Sequence, residues 1–208
     1  MRIGEIKIQS ILLMYPSFQL RLDDTDEKSI KNAIFELKAD SQIGDLLSSM
    51  VGSINRALSY IERRGLSRDR VVEITDFQSR DDVAVIDTSL IEGFLSLEKI
   101  IARYSGKETE PDVRVENGKI IAPKADSYKI TYKEKIKRVS QISDEGEHLL
   151  IDNNIAELLP YFIKGELFKE ENQQDAIQAM TLFEKEIDYL LMNKRSDGLF
   201  VEAIYRAD

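Results

Sequence analysis

Apolar positions recur at helical spacing in the first third of the chain, at a spacing of two in the middle, and at helical spacing again toward the end. Ile8, Ile11, Leu12 and Tyr15 predict a helix over Ile3 to Tyr15, ended by Pro16. Ile30, Ala33, Ile34 and Leu37 predict a second from about Asp26 to Ala39, with Asp24 and Glu27 as a capping pair at its start. The third is the clearest: Ile43, Leu46, Leu47, Met50, Val51, Ile54, Ala57, Leu58 and Ile61 draw one apolar stripe along about 30 Å of helix. Arg63 and Arg64 stand where the helix dipole favours cations, and Gly65 supplies a left-handed cap.

From about Arg70 to Val139 the period becomes two. Val71–Thr75 and Val83–Asp87 read as short strands, and Val113–Ile121 reads as a hairpin about Asn117-Gly118, a pair that tolerates the positive φ of a tight turn. Tyr128, Ile130 and Tyr132 share one face of a further strand, whereas Phe94–Tyr104 fits a strand or a short helix, and the conformation of residues 94–112 stays open. Helix then returns. Ile155, Leu158, Leu159, Phe162, Ile163 and Leu167 form a stripe in which Pro160 marks a kink or a first turn. Asn172 caps a last helix with Ala176, Ala179, Met180, Phe183, Ile187, Leu190 and Leu191 facing inward, and the short join predicts an antiparallel hairpin. The expected fold is α+β: a bundle of N- and C-terminal helices (residues 1–68 and 141–208) forming one composite domain, with a small β module inserted at residues 69–140.

Composition narrows the chemistry. The 208 residues are 42% hydrophobic and 32% charged, enough for a core without staples. With no cysteine, disulfides, thiol catalysis and cysteine metal sites are excluded; with one histidine, His148, so are multi-histidine sites. A formal charge of −9 disfavours nucleic acid as a partner on average. The N-terminus mixes charge into its apolar positions and does not read as a targeting segment, and no apolar run is long enough to cross a membrane; a reducing cytoplasm is the expected setting.

Candidate sites each meet a plainer reading. His148 has Ser140, Ser143 and Asp152 near it in sequence, but no nucleophile elbow accompanies them, so a surface or satisfied histidine is expected. Asp23-Asp24-Thr25-Asp26-Glu27 lacks the calcium-loop pattern and opens a helix. Gly44, Gly52 and Gly65 are scattered singly and make no phosphate loop, and Glu170 and Glu171 sit at a solvated turn. Lys129, Lys133, Lys135, Lys137 and Arg138, interleaved with Tyr128 and Tyr132, suggest either a single-strand nucleic-acid platform or the lysine-rich face of an edge strand. The expectation is a protein that is no enzyme, with no catalytic, cofactor-binding or metal residue and no cofactor.

Two stretches carry a likeness. The opening Met1-Arg2-Ile3-Gly4-Glu5-Ile6-Lys7-Ile8-Gln9 with Leu12-Leu13-Met14 resembles the start of neck proteins of tailed bacteriophages and prophages. Residues Leu158 to Asn172, preceded by the Tyr128–Tyr132 strand and the acidic link Ser143-Asp144-Glu145, are similar to the ending of their head–tail connector, or adaptor, proteins. That resemblance implies a structural virion protein of the neck, assembled in the host cytoplasm: a homo-oligomeric ring on the portal protein that meets tail or other neck proteins, and through which DNA passes without specific binding. The other reading is a non-enzymatic intracellular interaction or regulatory module, monomer or dimer, whose Ile43–Ile61 stripe docks a partner helix.

Overall fold

A computed structural model describes residues 1–18 and 26–205, with side chains described as far as residue 193. Within them the protein is α+β. It divides into two compact units, one of residues 1–66 and 137–208 and one of residues 67–136.

The first unit is helical. α1 (Ile3–Met14) and α2 (Glu27–Lys38) follow the apolar periodicity. Asp24 of the expected capping pair lies outside the described residues; Asp26 caps α2, its carboxylate accepting the Ser29 N–H at 2.6 Å. α3 (Ser41–Arg63) is capped by Asp40, and Gly65 follows it at φ +74°, a left-handed conformation that costs glycine nothing. The Ile43–Ile61 stripe is buried, Leu46 alone being partly exposed, so it is core and offers no docking surface. The stripe around Pro160 is two helices, α4 (Asn153–Ala156) and α5 (Leu159–Leu167), and the proline occupies the first turn of α5, where its missing N–H has no intrahelical partner to lose. α6 (Gln173–Tyr205) starts at Asn172, whose side chain accepts the Asp175 N–H, and runs back along α5. Gly165 lets the two helices close up: a Cβ there would lie 3.0 Å from Met180 and 3.3 Å from the Ala176 carbonyl. α2 packs on α1 and α3, and α5 packs on α1, α3 and α6.

The second unit holds two four-stranded antiparallel sheets. One has the order β1 (Asp69–Ile74), β8 (Ser127–Glu134), β4 (Phe94–Tyr104), β5 (Lys107–Thr109); the other β2 (Gln78–Arg80), β3 (Val83–Asp87), β7 (Lys119–Pro123), β6 (Arg114–Glu116). Inward residues of both, among them Ala84, Ile86, Ile100, Ile120, Tyr128, Ile130 and Tyr132, form one core. The predicted hairpin is present as β6 and β7, with Asn117 at φ +50° and Gly118 at φ +72°. Phe94–Tyr104 is a strand. Its pairing with β8 shifts register between Phe94 and Ser96 and again between Leu97 and Lys99, and those bulges erase the alternation that would have marked it.

Candidate functional site

Residues 145–149 run beside residues 1–4 and bond to them through the backbone: Ile3 N–H to the Glu147 carbonyl at 3.0 Å, Gly4 N–H to that of Glu145 at 2.9 Å, and Leu149 N–H to that of Met1 at 3.2 Å. This brings Arg2 against His148, where the Arg2 Nε–H donates to His148 Nε2 at 3.1 Å; the Glu5 carboxylate accepts the Arg2 backbone N–H at 3.2 Å. Arg2, Glu5, His148, Glu157 and Tyr161 line an open cleft of about 610 Å³. His148 is exposed and bonded to an arginine. Of the residues near it in sequence, Ser140 and Ser143 pair with each other, the Ser143 Oγ also accepting the Ser140 N–H at 2.9 Å. That arrangement spends the hydroxyls on the loop itself, not on the imidazole.

A second group of charges ties α1 and α2 to the same segment. Lys7, with only 7% of its side chain exposed, donates to Glu145 at 2.8 Å, and Lys38 approaches the same oxygen at 3.6 Å. Lys31 bridges Glu27 at 2.6 Å and Asp144 at 2.8 Å. The Lys31 ammonium, helped by the Gly146 N–H, holds the Asp144 carboxyl below its ordinary range. At the other end of α1, Tyr15 donates to Glu171 at 2.6 Å and packs edge-on against Phe168. Burial, with Glu171 beside it, pushes the Tyr15 phenol up to about 12. A raised phenol favours the protonated fold, so this contribution is complete below about pH 10 and is lost as pH climbs toward 12. In an ultraviolet titration, Tyr15→Phe should therefore remove one late-ionising phenol; an unchanged late phase would contradict the contact.

The basic cluster forms neither a stacking platform nor the face of an edge strand. β8 lies between β1 and β4 and is no edge strand. Tyr128 and Tyr132 point into the core, and the alternation of a strand puts Lys129 and Lys133 on the opposite face. Lys133 pairs with Asp69, Lys137 with Glu147 and Arg138 with Glu62. Outward from the same sheet, Arg103 bonds Glu108 at 2.9 Å and reaches Glu73 at 3.4 Å. Of the acidic run, Asp23, Asp24 and Thr25 lie outside the described residues, while Asp26 is a cap and Glu27 an ion-pair partner. Among the described residues no three His, Asp or Glu side chains cluster as metal ligands.

What the sequence reading passed over is apolar surface. Phe35 on α2 is 78% exposed and Ile142 94%, and on α6 Ile177, Leu182, Tyr189 and Met192 all face outward. For those on α2 and α6 the signal was in the sequence, at positions off the inward stripe of each helix.

No protein-family model matches the chain, and no curated protein matches it either. Solved structures do. One described as "Neck of empty GTA particle computed with C6 symmetry" is similar at a TM-score of 0.26 and 12% identity, over 78% of this chain and 75% of that one. Among the described residues no helix is long and apolar enough to cross a membrane.

Proposed function

We propose that the protein is a structural component of the neck of a tailed-phage or prophage particle, a connector whose copies form a ring between portal and tail. The observation that carries this reading is the distribution of uncovered apolar side chains over the helical unit, on α2, on the 140–150 segment and along α6, beside clusters whose charges are already bonded to one another. Where such side chains gather into a patch they mark a surface that meets other proteins. The likeness of both chain ends to neck proteins supports portal as the partner on one face and tail or another neck protein on the other. The inserted β unit gives each copy a second body with which to reach a neighbour. A net charge of −9 suits a passage through which DNA moves without being held. Deleting the gene from a particle-producing host should leave filled heads and tails unjoined, and the added protein should appear by electron microscopy as a ring on isolated portal. Tailed particles formed normally without it would overturn the proposal, as would a monomer that ignores portal.

A further inference from the structure

We infer that Asn117 is a self-modification site, and that its conversion to isoaspartate releases β6 from the edge of its sheet. The Gly118 backbone nitrogen attacks Cγ, the side-chain carbonyl carbon of Asn117. A bond forms between them, the bond from Cγ to Nδ2 breaks, and ammonia leaves. The Gly118 N–H proton passes to solvent, which returns one to the departing amine. Water then opens the five-membered imide. Breaking the bond from Cγ to nitrogen leaves aspartate in an ordinary chain. Breaking the bond from the backbone carbonyl to nitrogen leaves isoaspartate, in which the chain runs through Cγ. Water is the only co-reactant, and no group is oxidised or reduced.

Three features of the hairpin tip select this residue. The nitrogen is available: Asn117 and Gly118 are exposed, and among the described residues neither the Gly118 N–H nor the Asn117 side-chain amide makes a hydrogen bond. The turn is one step from the reacting geometry. Asn117 at φ +50° and Gly118 at φ +72° make a type I′ turn. Turning over the single peptide unit between them gives type II′, whose first residue keeps φ at about +60° and takes ψ to about −120°. At that ψ the Gly118 nitrogen eclipses Cβ and faces Cγ. Glycine follows the flip freely, since it accepts either sign of φ and carries no Cβ to shield its nitrogen. The third feature is an anchor. The Gly118 carbonyl accepts the Thr88 N–H at 2.9 Å and the Thr88 Oγ–H at 2.8 Å. That carbonyl belongs to the following peptide unit, so it stays in place as the preceding one turns. The same anchor makes the product disruptive. Isoaspartate adds one carbon to the backbone of a two-residue turn, and the Glu116–Lys119 pairing and the Thr88 bonds cannot both be kept. β6 yields, because it is an edge strand of three exposed residues that pairs, among the described residues, with β7 alone.

Full-length protein held in warm, mildly alkaline buffer tests this, with Asn32 as the internal reference. Asn32 is also exposed, but it lies within α2, where the helix fixes its backbone and engages the following N–H. Peptide mass mapping should show the Asn117 amide lost several-fold faster than that of Asn32, at a rate that climbs with pH. The products should resolve into aspartate and isoaspartate forms. Amide hydrogen exchange along β6 should rise in the aged protein. It should stay low in freshly prepared Asn117→Asp, which has the new charge without the added backbone carbon. An Asn117 that outlasts Asn32 would overturn the site. Unchanged exchange along β6 after ageing, or equally fast exchange in Asn117→Asp, would overturn the release of the strand. None of these results bears on the neck reading, which particle assembly decides.

Discussion

A Phe183→Ala variant should lose about 3–5 kcal/mol of stability, read as a lower urea midpoint at unchanged slope. Phe183 is completely buried, with its ring 5.1 Å from that of Phe162 on α5 and 5.6 Å from that of Tyr60 on α3. It is the point at which the C-terminal helix is bolted to helices from both ends of the chain. Truncation removes the transfer free energy of the ring and the two aromatic contacts, and it leaves a cavity between Phe162 and Tyr60. Tyr189→Ala, on the other side of the same helix, should move the midpoint by a few tenths of a kcal/mol at most, the usual effect of a surface change away from special features. Equal effects from both would mean that α6 is buried on neither side or on both, and would remove the ground for treating its outer face as a contact surface.

Where the apolar stripe was continuous, the sequence was sufficient to place the element. α3 shows this best: its stripe, its cation-rich end and Gly65 all agree with the helix observed. The Asn117-Gly118 hairpin was equally plain, because the turn demands positive φ at both residues and few other pairs tolerate it. β4 was ambiguous for a physical reason: two register shifts turn successive side chains off the alternation, so no period survives to be read. β2 is three residues long, all exposed, and carries no periodic signal. The lysines of β8 were legible as a cluster, but their partners were not, since Asp69 lies 64 positions away from Lys133. The same holds for the cleft beside His148, whose arginine comes from the opposite end of the chain. Long-range pairing is set by topology, and no local spacing encodes it.

The ion pair between Lys7 and Glu145 is the sharpest case of such a pairing, and breaking it should cost about 3 kcal/mol. Lys7 to Met keeps the volume and the unbranched stem, so the change isolates the ammonium. Glu145 is 14% exposed, and its Oε2 is buried with no hydrogen-bond partner among the described residues, which leaves Oε1 as the atom through which its charge is compensated. Without Lys7 that oxygen keeps only Lys38, at 3.6 Å and with half its side chain in solvent. A carboxylate so placed is held from water without adequate compensation, and the segment that carries it is also the backbone partner of Gly4. That segment cannot swing away cheaply, because it packs directly over Gly4, where even an added Cβ would come within 3.1 Å of the Glu145 carbonyl and 2.5 Å of Ile30. Removing both charges should therefore recover most of the loss: Lys7→Met with Glu145→Met is expected to melt closer to the native protein than to the single variant. Hydrogen exchange at Ile3 and Gly4 should rise in the single variant and fall back in the double one. A single variant as stable as the native protein would show that water reaches Glu145 and that this ion pair does not hold the 145–149 segment against α1.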